Sequence, residues 1–219
     1  MTTDNCFTFI YCVKNDIDCE ASCQHLDSLQ IPVGYTATKQ IFRNNPNIAQ
    51  DYNMAMSNSA AKYKIYLHQY TNIINANFLL EILSLFKNHP ELGMLGVLGA
   101  KKLPPNGNWR EASERYGKIL FGGEPLIYNN EITSDYQPVQ VIDGMIMITQ
   151  YDLPWREEVF HDQFFYDAAQ CLEFIKVGYK VGIPKQSEPW CAFNNTTDTL
   201  IQYYRDRERF CQEYQGFIG

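Results

Sequence analysis

The sequence has no apolar run approaching ~18 residues, so no transmembrane helix is expected. Its start, MTTDNCFTF, has neither a basic stretch nor a long apolar core after it, so no secretory signal is expected either. Positive charge is also scarce: 18 Lys and Arg against 25 Asp and Glu leave a formal charge of −7. That balance excludes the broad basic face on which nonspecific nucleic-acid binding depends. It leaves room for an anionic small ligand, because such a site needs only local cations. No internal repeat, low-complexity tract or linker interrupts the 219 residues, which points to a single domain. The seven cysteines are odd in number and scattered, and no second close pair joins Cys19 and Cys23, so a zinc site is not expected. With Leu26 these two fall at i, i+4, i+7, the spacing of a buried helix face. Free thiols of this kind suit the cytoplasm.

What is present is an alternation of strand and helix. CFTFIYCV (6–13) is a short β-branched and aromatic run, followed by helical spacing through Leu29. TATKQIF (36–42) is a second strand, and Ile48, Tyr52, Ala55 and Met56 mark an amphipathic helix after it. YKIYLHQYTN (63–72) begins as a buried strand and ends in polar groups. A helix follows with Asn75 as its expected N-cap and Phe78, Ile82, Leu85 and Phe86 as its stripe, then the apolar strand MLGVLGA (94–100). This order predicts a parallel sheet with helices on its faces. Residues 110–142 carry mixed short strands with GG (122–123) and NN (129–130) turns. DGMIMITQ (143–150) reads as a strand, FFYDAAQCLEFIKVGY (164–179) as a helix, and YKVGIP (179–184) as a last strand. From Thr196 an amphipathic helix runs to Tyr214, with DRER (206–209) as its solvated face. The expected architecture is α/β: a Rossmann-like mixed sheet flanked by helices.

In such a sheet a ligand sits at the carboxyl ends of the parallel strands. That rule selects Lys14–Asp16, Arg43–Asn45, His68–Tyr70 and Lys101–Lys102 as one polar rim. The plainer reading is that strand ends are polar because they are solvated.

The segments FIYCVKND, NIAQDYNMAM, AKYKIYLHQ, LGMLGVLGAKKLP, VIDGMIMITQYDLPWRE, FFYDAAQCLEFIKVGYKVGIPKQ and EPWC occur in this order over residues 7–192. Together they resemble the glycosyltransferase-like family 2 proteins of the streptomycin-biosynthesis type, a branch of the GT-A fold. The resemblance implies a GT-A-like domain over 1–195, with a nucleotide-binding half near 7–102, an acceptor-side half near 103–195 and a C-terminal helix at 196–219. It implies a nucleotide-sugar donor and a hydroxyl acceptor. Asp16 falls at the acidic position that contacts the nucleoside, Asn53 at a helix asparagine near the sugar nucleotide, and Asp143 with Gly144 at the DG that opens the acceptor-side strand. His68, Gln69, Tyr70 and Lys101 fall at the donor site. Asp167 falls where the family places the carboxylate that deprotonates the acceptor. Trp155 and Trp190, each beside a proline, offer rings to stack on an acceptor sugar, although most tryptophans are packing residues.

Three positions depart from the family pattern. Family members usually read HQD where this chain reads His68-Gln69-Tyr70, and they carry histidines where Phe164 and Phe193 stand here. The family usually employs Mn2+ or Mg2+, but the acidic ligand is replaced here by a phenol. A neutral phenol is a poor ligand for a hard cation, its pKa lying near ~10. It can donate to a phosphate oxygen, for about 1.5–3 kcal/mol. That is less than the several kcal/mol a metal supplies, so Lys101, Lys102, Arg110 or Arg156 would have to add positive charge. The alternative is a catalytically silent module of the same fold, its pocket filled by Tyr70, Phe164 and Phe193. Asp167 has its own second reading, since Asp167 and Gln170 have the spacing of a capping box. The adjacent His161 and Asp162 are read as a surface pair. Met145 and Met147 are read as strand packing.

Overall fold

A computed structural model describes residues 3–13, 16–128, 130–161, 164–194 and 200–219, without the side chains of 16–19, 21 and 200. Lys14, Asn15, Asp162 and the side chains of Asp16 and Cys19 therefore lie outside the described residues. Strand β1 (Thr3–Val13) leads to helix α1 (Asp16–Leu26), β2 (Thr36–Arg43), α2 (Ile48–Ser57), β3 (Ala61–His68) and β4 (Thr71–Ile73). Then come α3 (Phe78–Asn88), β5 (Leu92–Leu95), β6 (Leu98–Ala100), β7 (Arg115–Phe121), β8 (Glu124–Ile127), β9 (Tyr136–Val139) and β10 (Val141–Ile142). The chain closes with β11 (Ile146–Thr149), α4 (Tyr166–Lys176), β12 (Lys180–Pro184), β13 (Cys191–Phe193) and α5 (Leu200–Glu213). No helix among the described residues is long and apolar enough to cross a membrane.

The main sheet runs β2-β1-β3-β11-β5-β12-β9. β1 pairs parallel with both β2 and β3, which aligns the ends of all three strands along one edge. β11 enters antiparallel between β3 and β5, so the sheet is mixed as expected. A second sheet runs β10-β6-β7-β13-β4, with β8 on β7. The two halves of the chain are interleaved: β4 and β6 join the second sheet, while β9, β11 and β12 complete the first.

Two expected strands are each divided between the sheets. The run 94–100 is β5 in one sheet and β6 in the other, and 63–72 is β3 and β4. Residues 94–100 are buried throughout, and 63–72 are buried except for the half-buried His68, Tyr70 and Asn72, so the burial pattern barely registers the change of partner. The fourth member of the expected rim is displaced by this. Lys101 follows β6 of the second sheet, whereas the main-sheet strand ended at Leu95.

Local chemistry sets the helix starts. The Asn47 side chain caps α2 by accepting from Gln50 N at 3.1 Å. For α3 the cap position is Asn77 rather than Asn75; Asn75 forms a turn instead, accepting from Asn77 N at 2.9 Å and donating to Glu81. α4 begins after Phe165, which adopts the left-handed conformation at φ 62°. No Asp167–Gln170 capping box forms, because Gln170 is drawn away to donate to Leu153 O at 2.8 Å.

Helix α5 packs onto the rest of the domain. Phe210 and Tyr214 are buried against Phe160 and Phe165, a gain of about 1.5–3 kcal/mol per aromatic ring. Its DRER stretch is only partly solvated: Asp206 is fully buried, and Arg209 turns back to Val159 O and Asp206. The described cysteines are free thiols.

Candidate active site

A cavity of about 520 Å3 opens where the end of β3, the loop before β11, the start of α4 and the face of α5 meet. Size and mixed lining are those of a small-molecule site. Of the residues named from the sequence, His68, Arg110, Asp143, Gly144, Met145 and Asp167 line it, with Phe164 and Phe193.

Asp143 and Asp167 form its polar centre with Arg110. Asp143 Oδ2 accepts from the Arg110 guanidinium at 2.9 Å, and Oδ1 accepts from Met145 N at 3.0 Å. Asp167 Oδ2 accepts from Gly144 N at 2.9 Å, and Oδ1 accepts from Ala168 N at 2.8 Å. Gly144 makes this approach feasible, since a Cβ there would lie 2.7 Å from the Tyr166 hydroxyl and 3.1 Å from Asp167 Oδ2.

The two carboxylates are not equivalent. Burial pushes the Asp167 carboxyl up to about 6, the neighbouring Asp143 charge adds to this, and Ala168 N, Arg110 and Gly144 N pull it partly back. Asp143, beside Arg110, holds that guanidinium firmly protonated. Arg110 remains 59% exposed and stacks on Trp109 at 5.1 Å, so it can reach a bound anion. Asp167 is thus a carboxyl with a base's pKa, next to a fixed cation.

The walls are aromatic. Phe193 stacks on Phe121 with centroids 6.3 Å apart, and meets His68 edge-on at 5.5 Å. Phe164 stands perpendicular to Tyr203 of α5 at 5.5 Å. Phe165, in its left-handed conformation, stacks on Phe210 at 5.1 Å and carries α4 up to the cavity. A bulky residue at positive φ is strained, of the kind that clusters at functional sites.

The other named residues lie elsewhere. Tyr70 is half-buried beside His68 with centroids 5.3 Å apart, and its amide donates to His68 Nδ1. Gln69 is buried, and its carbonyl accepts from Ser22. Lys101 pairs with Glu114 at 2.7 Å on the surface. Asn53 is a tie: it accepts from Trp155 N at 2.8 Å and donates to Trp155 O and to Glu157. Trp155 packs between Tyr52 and Tyr66, and Trp190 against Phe78. Each indole is only 2% exposed, which leaves no ring face for a sugar. Arg156 is held by Glu158, Glu173 and Glu213. Among the four cations expected to add charge, Arg110 alone lines the cavity. Tyr203 and Phe121 were not anticipated as site residues. The spacing of Tyr203, Phe210 and Tyr214 at i, i+7, i+11 is the signal that marks an aromatic face on α5.

No curated protein sequence matches the chain. Solved structures do, at the level of fold. TarS of S. aureus in complex with UDP-GlcNAc superposes with a TM-score of 0.56 at 9% identity, over 88% of this chain and 59% of that one. The mannosyltransferase PcManGT of Pyrobaculum calidifontis, in complex with GDP-Man and Mn2+, gives 0.54 at 9% identity, over 88% and 57%. GalNAc-T7 with UDP, GalNAc and Mn2+ gives 0.58 at 8% identity, over 92% and 47%. This chain therefore spans about half to three-fifths of these relatives' lengths, and shares with them the GT-A fold. The family described as Glycosyltransferase like family matches residues 8–214, a span that includes the cavity lining and α5, and the chain belongs to that family.

Proposed function

We propose that this protein binds a nucleotide-diphosphate sugar and transfers its glycosyl group to an acceptor hydroxyl, as a cytoplasmic member of the streptomycin-biosynthesis type. The observation that carries the reading is Asp167, a half-buried carboxyl with a pKa of about 6 on the cavity wall, beside Asp143 and Arg110. In this reading Asp167 accepts the proton of the acceptor hydroxyl as the new glycosidic bond forms. The guanidinium of Arg110 offsets negative charge on the departing diphosphate, a preorganised electrostatic contribution. Gly144 N and Ala168 N hold the Asp167 carboxylate in place. The nucleotide-sugar and nucleotide ligands of the fold relatives TarS, PcManGT and GalNAc-T7 support a donor of this class. The free thiols support the compartment.

Two of those relatives were solved with Mn2+, and the described residues here do not fit such an ion. β3 ends at His68 and is followed by Gln69 and Tyr70, Asp143 is already paired with Arg110, and no group of three or more His, Cys, Asp or Glu converges among the described residues. Arg110 is the group available to do the ion's electrostatic work. The test is isothermal titration with UDP, GDP, ADP, CDP and dTDP and their sugars, with and without Mn2+. Binding of one of them without Mn2+ is expected. No binding to any of them removes the reading.

A second reading has its own observation, the rings of Phe164 and Phe193 on the cavity wall where the family carries histidines. Here the fold is a silent binding or scaffolding module. Donor hydrolysis above background excludes it, whereas a Tyr70→Asp, Phe193→His variant that acquires Mn2+-dependent donor binding supports it.

A further inference from the structure

We propose that the acceptor taken by this cavity is a flat, largely apolar molecule bearing a phenol-type hydroxyl, rather than a polyhydroxylated sugar. This rests on the transfer reading above for the reaction, but on the cavity alone for the class of ligand.

The amide and carboxylate side chains of the lining already have partners. Asn108 accepts from Arg110 N and donates to Glu111, so both ends of its amide are engaged. Asp143 is taken by Arg110 and Met145 N, and each oxygen of Asp167 already accepts one backbone N–H. A carboxylate oxygen can still accept a second hydrogen bond, so Asp167 retains capacity for one hydroxyl. A sugar brings several hydroxyls, and each one buried without a partner costs about 1–3 kcal/mol. Besides Asp167, the exposed guanidinium of Arg110 and the Tyr203 hydroxyl are left to meet them, and in the transfer reading Arg110 is engaged by the diphosphate.

Flat apolar surface, by contrast, is well provided for. Phe121 and Phe193 form one stacked wall, and Phe164 and Tyr203 form an edge-to-face wall. Phe121 is 43% exposed, an apolar ring facing open space in a cavity rimmed by charge. Apolar surface held open beside polar groups marks a ligand site. A planar ring laid between these walls would cover it and present its hydroxyl to Asp167.

The acid–base chemistry agrees. A phenol ionises near ~10, whereas water, and alkyl hydroxyls like it, ionise near ~15.7. Asp167, at about 6, is far better matched to the first. In the step, the phenol O–H bond breaks and its proton passes to an Asp167 carboxylate oxygen. The phenol oxygen bonds to the anomeric carbon of the donor. The bond from that carbon to the diphosphate oxygen breaks, and the diphosphate keeps the electron pair.

The experiment titrates the protein with 4-methylumbelliferone, following its fluorescence, with glucose and cellobiose as competitors. Saturable binding that neither sugar displaces is expected. Phe121→Ser should weaken it about three- to tenfold, the scale of one lost aromatic contact, and Phe121→Tyr should retain it. No saturable binding, displacement by either sugar, or indifference to Phe121→Ser overturns the proposal. A nucleotide-diphosphate titration on the same preparation keeps the two readings apart. Nucleotide binding without Phe121-dependent 4-methylumbelliferone binding sinks the acceptor class alone. The converse leaves the acceptor class standing and sinks the donor reading.

Discussion

In the proposed transfer Asp167 is the base, and its ionisation follows from burial and four neighbours. Burial and the Asp143 charge disfavour its ionised form, whereas Arg110 and two backbone N–H groups favour it. A base must be ionised to work, so kcat/KM for transfer should rise as pH increases through about 6 and level off above, read directly from a pH–rate profile. Replacing Asp167 by Asn should cost about 10²–10⁴-fold in kcat/KM, the usual loss of a positioned base, while donor affinity measured by titration stays within about twofold. Arg110→Gln tests the electrostatics separately. Losing that cation removes a lowering influence on Asp167, so its pKa rises and the ascending limb moves to higher pH. A limb that stays in place would mean that the guanidinium does not set the base's ionisation.

At the scale of elements, the sequence was legible wherever an element keeps one partner along its length. The stripe Phe78, Ile82, Leu85 and Phe86 places α3 within a few residues, and α2 begins at Ile48 as its spacing says. The mixed α/β architecture follows from the same alternation. Legibility fails where one apolar run serves two sheets, as at β5–β6, because burial on both faces erases the period that would mark the junction. The site was half-legible. His68 could be read from a strand end, and Asp143 and Asp167 from the family resemblance, while local physics alone favoured a cap for Asp167. Tyr203 and Phe121 arrive from elements distant in sequence: helical spacing puts Tyr203 on an aromatic face without saying what that face covers, and nothing local marks Phe121. Trp155 and Trp190 were misplaced because a proline neighbour says nothing about burial. The β6–β7 junction carries a sharper prediction. Gly117 holds φ at +102°, and a Cβ there would lie 1.9 Å from Val97 O, a backbone atom that cannot step aside. Gly117→Ala should therefore cost about 3 kcal/mol or more by urea unfolding, since strain and a lost strand contact combine. A variant within 1 kcal/mol of the parent, roughly the scale of an ordinary Gly-to-Ala change, would show that the strand can slide.

Across the whole molecule, the aromatic cavity depends on α5 staying docked, and Arg156 is one of the residues that tie it to the rest. Arg156 is 25% exposed and reaches Glu158 on its own loop, Glu173 of α4 at 3.2 Å and Glu213 at the end of α5 at 2.8 Å. Glu173 has further partners in Lys176 at 2.8 Å and the Tyr214 hydroxyl at 2.7 Å, so the loss of Arg156 does not leave it stranded. Hydrogen bonds to charged groups are worth about 1.5–3 kcal/mol when well made, and partial exposure puts this cluster toward the low end. Arg156→Met, which keeps the stem and removes the charge, should cost about 2 kcal/mol, or roughly 4–8 °C in Tm for a domain of this size. The pH dependence has a definite sign. Glu158 and Glu173 are both held below the usual carboxylate range, with the guanidinium of Arg156 among the causes. A depressed carboxylate contributes stability above its unfolded pKa of about 4.3 and loses it as pH falls through the lower folded value. The gap in Tm between parent and Arg156→Met should therefore be widest near neutrality and shrink as pH drops below about 4. Because Tyr203 sits on the same helix as Glu213, the variant should also weaken 4-methylumbelliferone binding at pH 7 although Arg156 is absent from the cavity wall. A lowered Tm with unchanged cavity binding would separate the clamp from the site and show that α5 holds its aromatic face in place through Phe210 and Tyr214 alone.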